Sequence, residues 1–121
     1  MASLQQINKQ AIGFVERKSR KKFEMKPTIR YGRDCKNLLR DKGAGTAITR
    51  ASVIINRKLS KPKYCKLLKP VIVHELRENL GFQHYENKQT AHRAARKLEL
   101  QVMGKDKKEL EKLAREAGYY G

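Results

Sequence analysis

The stretch Val71-Ile72-Val73-His74-Glu75-Leu76-Arg77-Glu78-Asn79-Leu80-Gly81-Phe82-Gln83-His84 constrains this chain more than any other. Val71, Ile72, Val73, Leu76 and Leu80 are apolar at helical steps and would seat a helix in a core. At about 100° per residue, His74 and Glu78 lie one turn apart on one face, about 40° from each other, with Glu75 to one side. Two groups able to bind a metal and one further carboxylate therefore share a short core helix. Gly81 predicts the end of that helix, because glycine takes the left-handed conformation that stops one. All three histidines of the chain, His74, His84 and His92, fall in this helix or in the segment after it.

With 121 residues the chain is expected to form one domain, residues 1–121, around a single modest core. Its 29 Lys and Arg stand against 12 Asp and Glu, a formal net charge of +17, so the surface favours anionic partners. Nucleic acid is the first partner this suggests and an acidic protein the second. The opening residues Met1-Ala2-Ser3-Leu4-Gln5-Gln6 lack the apolar run of a signal peptide, and no stretch is long enough to span a bilayer. A cytoplasmic protein with no membrane contact is the expectation, and association with a virion also fits the charge. Cys35 and Cys65 lack paired spacing and read as reduced thiols.

Taken in order, residues 3–20 read as a helix capped by Ser3, with Leu4, Ile7, Ala11, Phe14 and Val15 on its apolar side. Its far end is densely basic, through Arg17, Lys18, Arg20, Lys21 and Lys22. Residues 27–32 form a short first strand, 35–40 a helical turn and 42–45 a glycine-containing loop. The β-branched run 46–56 is the best strand, with room for a bend near Arg50. A basic loop holding Pro62 leads to the central helix, whose first turn can accommodate Pro70. Asn87 or Thr90 caps the next helix, Gly104 breaks it, and Asp106 with Glu109 has the spacing of a capping box for a last helix ended by Gly118. The fold class is α+β: an N-terminal helix, a small β-sheet, and a central motif helix followed by two C-terminal helices.

A catalytic zinc site takes three protein ligands and leaves a fourth position for water, and two His with one Glu is a working set. His74 and Glu78 supply two ligands, and either His84 or His92 can complete the set. Glu75 would then be the general base that takes a proton from the water activated at the metal. The implied cofactor is Zn2+ and the implied reaction a hydrolysis; the resemblances that follow imply a peptide or protein as the substrate.

The run His74-Glu75-Leu76-Arg77-Glu78-Asn79-Leu80-Gly81-Phe82-Gln83-His84 resembles the H-E-x-x-H-x-x-G-x-x-H motif of metzincin peptidases at every spacing, with Glu78 in place of the second histidine. A strand such as Ser52 to Asn56 before the motif helix is also what small zincins place beside their active site, as an edge on which an extended peptide can lie. A second resemblance joins this helix to Ala91-His92-Arg93-Ala94-Ala95-Arg96-Lys97-Leu98-Glu99. The two together look like a group of small metallopeptidases of phage and prokaryotic genomes that carry HExxE on one helix and AHxxAxxxE on the next. His92 and Glu99 are seven residues apart and about 20° from alignment, so they share a helix face. The first resemblance implies His84 as third ligand and the second His92, with Glu99 as a ligand or as a carboxylate that orients one. The helix-pair arrangement is favoured, since an antiparallel partner brings its first turn level with Glu78.

Two other classes remain open. A nucleic-acid-binding protein without catalysis would use Arg17, Lys18, Arg20, Lys21 and Lys22, the basic run 58–66, and Arg93, Arg96 and Lys97 on phosphates. A structural component of a virion or similar assembly would need the same charge. Two His and a carboxylate also bind iron for oxygen chemistry, usually inside a larger barrel than this chain can build.

Overall fold

The computed structural model of the chain describes residues 3–32 and 52–118. The turn expected at 35–40, the loop at 42–45, the strand portion 46–51 and Cys35 lie outside them.

Helix α1, Leu4–Ser19, starts at a capping box: the Ser3 hydroxyl accepts from the Gln6 amide at 3.1 Å and the Gln6 side chain accepts from the Ser3 amide at 2.9 Å. Its buried stripe is Asn8, Ala11, Ile12 and Val15, flanked by the partly buried Leu4 and Ile7. Phe14 is instead half-buried beneath the ammonium of Lys18, 5.9 Å from the ring centre. Arg20 ends the helix in the left-handed conformation.

Strands β1, Thr28–Gly32, and β2, Ser52–Asn56, pair in parallel, with Thr28 opposite Ser52 and Gly32 opposite Asn56. Alternation of the pleat turns Ile29, Val53 and Ile55 into the core. The basic run after β2 is ordered as two 3-10 turns, Arg57–Ser60 and Pro62–Leu67, pinned by the buried Leu59 and Leu67. Their lysines stay outside, and Asn56 caps the first turn by accepting from the Lys58 amide.

Helix α2, Leu68–Gln83, is the centre of the fold and carries Pro70 in its first turn. It packs against α1, β2 and the next helix, which is why it is buried nearly all round, with His74, Arg77, Asn79 and Gln83 inside beside its apolar residues. Asn79 and Gln83 are satisfied locally: Gln83 donates to the Asn79 side chain at 2.7 Å and holds the segment before β1 through the amides of Glu24 and Met25 and the carbonyl of Met25.

Gly81 does not stop α2. The helix runs on to Gln83, and the left-handed residue is Tyr85, at φ 60°. The Tyr85 amide donates to the Phe82 carbonyl and the Glu86 amide to the Gly81 carbonyl at 2.8 Å, the paired bonds of a Schellman turn. Gly81 is required for a different reason: a Cβ there would lie 2.9 Å from Cβ of Ala91 and 2.5 Å from Oε1 of Glu86.

Asn87 accepts from the Thr90 amide and starts α3, Lys88–Met103, which ends at Gly104 at φ 55°. Glu78 faces His92 while His74 faces Glu99, so α3 returns antiparallel along α2. A 3-10 turn, Gly104–Asp106, leads into α4, Lys107–Glu116, seated by Leu110 and Ala114. The capping box expected there does not form. Asp106 sits at φ −90°, ψ 12° because the chain enters through that turn, whereas a capping side chain reaches the first helical amides from extended backbone. The architecture is α+β, with the N-terminal helix, the small sheet, the motif helix and two C-terminal helices in the expected order. No helix among the described residues is long and apolar enough to cross a membrane.

Candidate metal centre

The centre lies on the seam between α2 and α3. Burial of Val71, Ile72, Leu76 and Leu80 fixes the rotation of α2, and that rotation turns His74 and Glu78 towards α3. Ala91 and Ala95 are fully buried, and these small side chains let α3 approach closely enough for His92 and Glu99 to meet them.

His74 lies between two carboxylates. Its Nδ1–H donates to Oε1 of Glu99 at 2.6 Å, and its Nε2 lies 3.0 Å from Oε1 of Glu78. The other oxygen of Glu78 accepts from Nδ1 of His92 at 3.3 Å, and the two imidazoles meet edge to face with centres 5.1 Å apart. Ionised carboxylates only accept, so without a metal both nitrogens of His74 must carry protons and the ring is an imidazolium. Burial alone would push its pKa down; the hydrogen bonds to Glu78 and Glu99, with the nearby charges of Glu75 and Glu78, outweigh it and raise the value to about 10. Burial likewise pushes Glu78 up, but the bonds and charges of His74 and His92 leave it below the usual carboxylate range.

One donor atom each from His74, Glu78 and His92 lies within 4.8 Å of the others. In a tetrahedral zinc site with bonds of about 2.0–2.1 Å, neighbouring donors are about 3.3 Å apart. The 3.0 Å contact of His74 and the 3.3 Å contact of His92 are each close to that spacing, though they are made to the two different oxygens of Glu78. The set is two imidazoles and one carboxylate, and the ligand side chains run from 7% exposed at His74 to 60% at His92, so the outer side of the site faces solvent. A carboxylate also stands behind His74. Glu99, 0% exposed, holds Nδ1 of His74, which leaves Nε2 as the atom offered to an ion. His74, Glu78 and His92 together could hold a metal ion.

Glu75 is half-buried on α2 beside His74, acts on it through its charge, and is not one of the three grouped residues. His84 is also outside the group. At the C-cap of α2, its Nε2–H donates to the Lys22 carbonyl at 2.8 Å. Of the basic cluster, Arg17, Lys18, Arg20 and Lys22 are exposed, and Lys21 pairs with Glu86 at 3.1 Å.

Sequence reasoning missed the residues behind Glu99. Oε2 of Glu99 accepts from Arg96 at 2.5 Å, and the other arm of the guanidinium donates to Glu111 on α4 at 2.8 Å. Arg96, grouped above with phosphate-binding residues, is thus engaged by two acids inside the fold. Its spacing was a usable signal, since His92, Arg96 and Glu99 follow each other at four and three residues on one face of α3. Glu111 had none, because it arrives from another helix. No family model matches the chain, and no curated protein or solved structure matches it.

Proposed function

We propose that the chain is a zinc-dependent hydrolase, acting on peptide bonds, with His74, Glu78 and His92 as the metal ligands. The observation that carries this reading is the convergence of three donor atoms within 4.8 Å on a histidine backed by a fully buried carboxylate. Zinc held there supplies a Lewis acid that polarises a carbonyl and makes a nearby water acidic at neutral pH. Glu99 keeps the His74 ring from turning, and the two histidines that face Glu78 hold it ionised before an ion binds. Glu75 is the base: next to His74 but outside the ligand set, it takes the proton of the attacking water and returns it to the leaving amine. The exposed side of His92 leaves an approach for the substrate.

The test is metal analysis together with cleavage of an unstructured protein substrate such as casein by zinc-loaded protein. Glu75→Gln should keep one zinc per chain and lose turnover by at least 100-fold. Retained turnover in that variant would rule out Glu75 as the base, and absence of zinc from the unaltered protein would rule out the reading.

The net charge of +17 supports a second reading, a non-catalytic protein that binds nucleic acid or a virion assembly through Arg17, Lys18, Arg20 and Lys22. That class is distinguished by binding that weakens steeply with salt in protein that holds no metal.

A further inference from the structure

We infer that Arg96 is a positioning residue for the metal ligand His74, acting through Glu99 and itself held by Glu111. The inference rests on the metal-centre reading above and adds residues that lie outside it.

A carboxylate bonded through one oxygen can rotate about its side-chain torsion, and a ring hydrogen-bonded to it follows. Glu99 is held at both ends, with Oε1 on Nδ1 of His74 and Oε2 on Arg96. The guanidinium is fixed in turn, because its other nitrogen is bonded to Glu111. A planar fork suits this place: it binds two carboxylates in set directions, which the single ammonium of a lysine does not reproduce. The line His74, Glu99, Arg96, Glu111 therefore runs from the ligand on α2, across α3, to α4. It ends at a residue half-buried at the other helix, so the seat of α4 is linked to the direction in which His74 presents Nε2. Partners behind a ligand histidine typically contribute about 10–100-fold to metal affinity.

The experiment measures the zinc dissociation constant by competition with a chromogenic chelator, for the full chain and for Arg96→Gln, Arg96→Lys and His74→Ala, beside 15N NMR of the His74 ring in the zinc-loaded state. Arg96→Gln should bind zinc about 10–100-fold more weakly. Arg96→Lys should fall between it and the unaltered protein. The Nδ1–H signal of His74, single and sharp in the unaltered protein, should broaden or split in both. A purely structural role for Arg96 would lower the unfolding midpoint and leave the affinity and the ring signal as they were. Zinc affinity within about twofold of the unaltered protein in a folded Arg96→Gln would overturn the inference, and Arg96→Lys decides it on the same threshold where the Gln variant does not fold. If His74→Ala binds zinc as well as the unaltered chain, the metal-centre reading itself fails; if it does not, while Arg96→Gln and Arg96→Lys bind normally, only the positioning role fails.

Discussion

Glu99, with no exposed surface, lies 2.6 Å from Nδ1 of His74 through a bond that joins α3 to α2 in the middle of the fold. An acid in that place is stable only while its cationic partners are present. Glu99→Ala leaves an imidazolium and a guanidinium without their shared counter-charge, so it should destabilise the metal-free protein by about 3–5 kcal/mol, the range for breaking a buried pair. Urea unfolding at pH 7 checks this, and a change under about 1 kcal/mol would mean that the pair is not buried in solution.

Metal-free stability and the increment that zinc adds to it should respond to pH with opposite sign. The His74 pKa is raised from 6.5 to about 10 on folding, so its contribution is complete below pH 6.5 and declines as pH rises to 10. Zinc must displace the Nε2 proton, so its apparent affinity should climb by up to about tenfold per pH unit over the same window. Thermal melts from pH 6 to 10, with and without zinc, would show the metal-free midpoint falling while the zinc-induced increment grows. The metal-free slope should vanish in His74→Asn.

A different window belongs to Glu86. Its two oxygens take the Arg77 guanidinium at 2.8 and 2.9 Å and Lys21 adds a third contact. The bonds to Arg77 come first among the causes that hold its carboxyl at about 2, against an ordinary 4.5. A lowered pKa stabilises the fold above pH 4.5, and that contribution is lost as pH falls towards 2. Acid titration of Glu86→Gln should therefore show a shallower loss of stability between those values than the unaltered protein shows.

At Gly81 two effects compete. Alanine in a helix interior normally gains about 1 kcal/mol over glycine. Here the added carbon would meet Ala91 of α3 at 2.9 Å and a Glu86 oxygen that Arg77 holds in place. Overpacking costs about 1–3 kcal/mol, so Gly81→Ala should be net destabilising and should weaken zinc binding by moving α3. Equal or greater stability in urea would show that the helices separate freely.

Tyr85 is 84% exposed and left-handed at φ 60°. Tyr85→Gly removes that strain and should raise stability by about 0.5–1 kcal/mol without touching the metal site. Differential scanning calorimetry of the metal-free protein checks it.

These residues also mark where sequence reasoning succeeds and where it stops. The Ser3 cap, the apolar face of α2 and the pairing of His92 with Glu99 on one face of α3 follow from helical periodicity, which is local. The role of Gly81 does not. A glycine that ends a helix and one that admits a neighbouring helix look alike until Ala91 is known to stand opposite. His84 shows the same limit: spacing put it within reach of the motif, but the Schellman turn at Tyr85 directs its ring to the Lys22 carbonyl. Asp106 had the right residue type in a backbone conformation that cannot cap, and Glu111 reaches Arg96 only because α4 folds back on α3. Gly81 and Glu111 depend on contacts with another helix, whereas Asp106 depends on the 3-10 turn that leads into it.

The most direct measurement is zinc stoichiometry, by mass spectrometry under native conditions, for the unaltered chain and for His74→Ala, His92→Ala and His84→Ala. One zinc per chain in the unaltered protein and in His84→Ala, with none in the other two, is the predicted result. Zinc retained in His74→Ala or His92→Ala, or lost only in His84→Ala, would contradict a metal centre on the seam between α2 and α3.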